Sequence, residues 1–151
     1  MILFPYCYKP QMLLNTMSVI IKNEIDFFHD KSILEDGVEF IGLINKHGRM
    51  ESSLCRNEIN LTAEKKAMFS MGLRLQSSMQ SDYDDEFGPV GYTITERENS
   101  KFVSIPSFSH TILAVMEKNA DPTVVINKIK IAIRDFENAN KELSVQESDW
   151  V

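Results

Sequence analysis

Apolar residues return along this chain in two rhythms, one helical and one alternating, and the switches between them mark the elements. From Met17 to Phe28, the residues Met17, Ile20, Ile21, Ile25 and Phe28 recur at helical spacing, and Thr16 or Asn15 can cap the start. Asp36-Gly37 closes that segment, with Gly37 suited to the left-handed conformation past a helix end. Phe40 to Ile44 is nearly all apolar, as expected of a strand covered on both faces. Asn45 and Gly48 then supply a turn, and Met50 to Cys55 reads as the returning strand.

Thr62 is a good N-cap for the next helix. Within it, Met68, Met71, Gly72, Leu75 and Met79 fall in one stripe at about 100° per residue. Phe69 and Leu73 lie on an adjacent flank. The stripe is the expected core face, with its methionines as filler, and the flank is the surface left for a partner. An acidic exit, Asp82 to Glu86, ends at Phe87-Gly88-Pro89. Val90 to Thr95 alternates, with Val90, Tyr92 and Ile94 on one side. After Glu98-Asn99-Ser100, the strand Phe102 to Ile105 is expected to stop at Pro106, and Thr111 to Met116 is the last strand. Asp121 caps a final helix with Pro122 at its first position, and Val125, Ile126, Ile129, Ala132, Ile133 and Phe136 form its apolar face.

The chain has 151 residues, enough for one domain with a real core. Residues 1–16 read as a disordered arm or a mis-assigned start, with Met17 a natural alternative start. Residues 17–137 read as the single domain and 138–151 as a polar tail that begins as fraying helix. The net charge of −6 argues against a nucleic-acid surface, which needs clustered cations. No stretch approaches a membrane span, and the start lacks the features of a signal peptide. Cys7 and Cys55 are the only cysteines, and their lack of framework spacing favours two thiols in a reducing cytoplasm over a secreted disulfide scaffold, with a Cys7–Cys55 disulfide left as the alternative.

No catalytic, cofactor or metal signature emerges. His29, His47 and His110 have no ligand partners at metal spacing. Ser107-Phe108-Ser109-His110 lacks an orienting base and an oxyanion site, and reads as a loop between strands. The acidic run Asp82–Glu86 lacks the calcium-loop pattern, and no phosphate-binding glycine motif occurs.

The segments Phe40-Ile41-Gly42-Leu43-Ile44-Asn45-Lys46-His47-Gly48-Arg49, Glu86-Phe87-Gly88-Pro89-Val90-Gly91-Tyr92, Glu96-Arg97-Glu98 and Ser104-Ile105-Pro106 carry a resemblance. Together with the element order, they resemble the roadblock/LC7 fold, a relative of the profilin-like and longin sandwiches. The string is similar to that of small uncharacterised archaeal proteins of this type. The resemblance implies a five-stranded antiparallel sheet in an α/β sandwich. The middle helix lies on one face, and the N- and C-terminal helices lie on the other. It also implies a non-enzymatic homodimer in which the middle helix and the following strand line the pair, here Met68–Gln80 and Gly91–Glu98. Regulation of a small GTPase, or service as a scaffold in a complex, follows as the expected role. Phe69, Leu73, Gln76, Tyr92 and Ile94 are the expected interface residues. The alternative is a small-ligand sensor, because related sandwich folds can hold a ligand between sheet and helix.

Overall fold

The computed structural model describes residues 31–57, 59–107 and 109–148. The arm 1–16, the helix expected at Met17–Phe28 and His29 lie outside the described residues. A 3-10 helix, Lys31–Asp36, leads through Gly37 into β1 (Val38–Ile44) and β2 (Met50–Cys55). Helix α1 (Ala63–Ser81) and a short helical turn α2 (Asp84–Phe87) follow. Strands β3 (Thr93–Glu96), β4 (Ser100–Ser107) and β5 (His110–Glu117) then precede helix α3 (Pro122–Ser148). The five strands form one sheet in the order β2-β1-β5-β4-β3, and every neighbouring pair is antiparallel.

The apolar run of β1 reflects burial on two sides. Phe40 and Ile44 join Leu113 and Val115 of β5 on one face, while Ile41 and Leu43 join Ile112, Ala114 and Met116 on the other. The β1–β5 register shifts between Val38 and Phe40, so Glu39 is bulged and Val38 faces the same side as Ile41. Helix α3 covers this second face with Val125, Ile126 and Ile129. Helix α1 covers the first, with Phe69 and Leu73 against Phe40, Ile44, Leu113 and Val115. Each fully buried side chain of this size contributes about 1.5–3 kcal/mol relative to exposure. The middle and last helices therefore lie on opposite faces, as expected from the sequence.

Turn and cap chemistry sets the connections. Asn45 Oδ1 accepts from the amides of His47 (2.9 Å) and Arg49 (3.1 Å), and Gly48 takes φ +79°. Thr62 Oγ1 accepts from the Lys65 amide at 3.3 Å and caps α1. Asp121 Oδ1 accepts from the Thr123 amide at 2.9 Å at the start of α3.

Several local expectations need correction. Pro106 does not stop β4; it pairs with Thr111, and the strand continues to Ser107. The β3–β4 ladder ends at Thr93↔Ser104, so at Pro106 only β5 flanks β4 and a missing N–H is tolerated. Val90 and Tyr92 precede β3 rather than forming it, and the acidic exit contains a helical turn. Helix α3 runs to Ser148, through most of the segment read as fraying helix and tail. The side chain of Phe136 lies outside the described residues. Cys55 is disulfide-bonded rather than a free thiol, and Cys7 lies outside the described residues. Among the described residues, no helix is long and apolar enough to cross a membrane.

Gly48 has two reasons to be glycine: its positive φ, and a Cβ that would stand 2.8 Å from Met71 Sδ. Gly48→Ala is expected to lower unfolding free energy by about 1–2 kcal/mol, read from urea midpoints at unchanged slope. An unchanged midpoint would remove this account of the turn.

Candidate interaction surface

Helix α1 meets its sheet along a narrow seam. Ser70 is its one buried residue, at 4% exposure, and Phe69, Leu73 and Ser77 beside it are half-buried. The Phe69 ring stands edge-on to Phe102 of β4, with centroids 5.3 Å apart. The other side of the helix carries the longer apolar row. Met68, Met71, Leu75 and Met79 are 73%, 44%, 56% and 69% exposed. Gly72 sits in this row, and a Cβ there would meet nothing within 4 Å.

This reverses the expected assignment of the two stripes. The methionine stripe is not core filler, and the flank is not the spare surface. The physical reason is the fit to the sheet. Small Ser70 and Ser77 let the helix backbone approach, and the large Phe69 and Leu73 fill the space above Phe40, Leu113 and Phe102. The spacing of those serines beside Phe69 and Leu73 was the available signal for the inner face.

Beyond the helix, Tyr83 and Phe87 are also exposed, at 61% and 86%. The edge strand β3 lies nearby: Phe102, under Phe69, pairs with Thr95. Among the described residues β3 pairs only with β4, so its outer edge offers unpaired backbone groups.

The five expected interface residues do not share one surface. Phe69 and Leu73 pack into the chain's own core, and Gln76 is exposed on α1. Ile94 pairs with Val103, which belongs to the core under α3, so Ile94 lies on the face away from α1. Tyr92 is 48% exposed, with Lys130 Nζ of α3 at 5.1 Å from its ring centre. The residues that sequence reasoning missed as surface are Met68, Met71, Leu75, Met79, Tyr83 and Phe87.

The polar chemistry is structural. His110 Nε2 lies 2.9 Å from Glu51 Oε2, and Ser109 Oγ lies 3.0 Å from His110 Nδ1. This chain ties the β4–β5 turn to β2 across the end of β1. Ser109 is the sequence neighbour of His110 in the turn, and the contact to Glu51 clips strands together. Arg56, just past the end of β2, pairs with Glu117, and Lys128 in the second turn of α3 pairs with Asp36. Among the described residues, no group of three metal-ligating side chains converges.

The two stripes separate in a stability measurement. Phe69→Ala is expected to cost about 2–3 kcal/mol of unfolding free energy, whereas Met68→Ala, measured on unpaired chain, stays within about 0.5 kcal/mol. Equal losses would contradict this orientation of α1.

No protein-family model and no curated protein matches the sequence. Solved structures do resemble the fold. A roadblock/LC7 domain from Streptomyces avermitilis superposes with TM-score 0.55 at 11% identity, covering 70% of this chain and 87% of that one. MglB from Myxococcus xanthus gives 0.63 at 11% identity, covering 82% and 98%. An MglB described with a tetrameric arrangement gives 0.65 at 10% identity, covering 89% and 98%. The five-stranded antiparallel sheet clad by helices thus has the roadblock-type α+β fold.

Proposed function

We propose that this chain is a non-enzymatic interaction module that works as a homodimer and regulates a small GTPase or scaffolds a larger complex. The observation that carries the reading is the outward row of α1. A helix that turns Met68, Met71, Leu75 and Met79 to water is built to be covered. A second copy offers the same row, and a two-fold axis makes such a row complementary to itself. Gly72 lets the two helices approach closely where they cross.

Magnitudes decide how much of the surface is needed. Four part-exposed side chains from each copy yield on the order of 10 kcal/mol on burial, while association costs roughly 4–15 kcal/mol. The helix row alone is marginal, so the reading includes pairing of the two β3 edges, which adds backbone hydrogen bonds across the axis. The tetrameric arrangement of one MglB neighbour supports assembly as a use of this fold. The GTPase half of the reading rests on the roadblock resemblance.

Light scattering on the purified chain is expected to give twice the chain mass at micromolar concentration. Leu75→Asp is expected to halve that mass while leaving the circular dichroism of the fold intact. A wild-type chain that remains single removes the homodimer. For the second half, the dimer is expected to change the rate of GTP hydrolysis or nucleotide exchange of a cognate small GTPase. No change in either rate for any GTPase of the same cell leaves scaffolding as the role.

A further inference from the structure

Three of the four long apolar side chains in the outward row of α1 are methionines, and their thioethers differ in access. Met68 and Met79, at opposite ends of the row, are 73% and 69% exposed, and Met71 is 44% exposed with its sulfur beside Gly48. Met116, by contrast, is fully buried in the core under α3, and Met50 packs against the core under α1. The chain therefore keeps its accessible thioethers of this region on the one face proposed to pair, and a shielded one elsewhere. Leucine would pack such a row equally well without being open to oxidation.

We propose that Met68 and Met79 are oxidation sites through which a peroxide controls pairing of two copies of this chain. The inference rests on the homodimer reading above. The thioether sulfur attacks one oxygen of hydrogen peroxide, the O–O bond breaks, and an S–O bond forms. The sulfur is oxidised by two electrons to the sulfoxide, and the second oxygen leaves as water with both protons. The product is a polar, hydrogen-bond-accepting group where an apolar contact is required. Burying it between two helices costs the desolvation of its oxygen, which the apolar thioether does not incur. Pairing covers the sulfurs and unpairing exposes them, so oxidation draws the equilibrium toward single chains. Reduction of the sulfoxide by a dithiol-dependent reductase restores pairing.

The test uses the full chain treated with hydrogen peroxide, followed by peptide mass spectrometry and light scattering across a dilution series. Sulfoxide is expected first at Met68 and Met79 and not at Met116. The apparent association constant is expected to fall about tenfold or more as those two sites fill, in line with loss of apolar burial at both ends of the row. The double variant Met68→Leu/Met79→Leu is expected to pair like the wild type and to keep pairing in peroxide. Sulfoxide at both positions with unchanged association overturns the proposal while leaving the homodimer standing. Equal loss of pairing in the double leucine variant overturns it as well. An untreated chain that never pairs fails the homodimer reading itself, and the oxidation control falls with it.

Discussion

Strands β1 and β5 carry apolar side chains at nearly every position, so neither face of the sheet can be left to water. Phe40, Ile44, Leu113 and Val115 demand cover on one side, and Ile41, Ile112, Ala114 and Met116 demand it on the other. Everything else in the fold answers that demand. Helix α3 meets it with three buried aliphatic residues and a capped start. Helix α1 meets it with a thin seam built on Phe69, Ser70 and Leu73. The two helices differ in that α1 covers its sheet and still turns its longer apolar row outward.

The seam is held in place by its neighbours in sequence. Thr62 fixes where α1 begins, and the Asn45–Gly48 turn comes close enough to Met71 that only a glycine fits there. Arg74 Nε donates to the Lys46 carbonyl at 3.4 Å, a further tie between the helix and that turn. These contacts agree with the rotation that the packing of Phe69 and Ser70 sets. That rotation turns Met68, Leu75 and Met79 away from the sheet.

A surface of this kind has consequences for control as well as for assembly. A row rich in thioethers is flexible and adaptable, which suits docking against another helix. It is also chemically open in a way that leucine is not. On the proposed pairing, Met68 and Met79 would supply both part of the attraction between copies and the means of removing it.

Much of the architecture was legible from the residues. Asn45 with Gly48, Thr62 before the helix, and Asp121-Pro122 each act through the backbone of a few adjacent residues, and all three appear as read. The two-sided burial of Phe40–Ile44 was legible because a strand exposed on one face would have alternated. Pro106 was misread because its tolerance depends on where β3 stops, a fact of the whole sheet. The interaction surface was half legible: the sequence displays two apolar stripes on α1 and places their residues at fixed angles about the helix axis. It does not contain the direction of the sheet. Only packing Phe69 onto Phe102 and Ser70 against the layer below sets that direction, because the choice between stripes is made by shape and contact with residues distant along the chain.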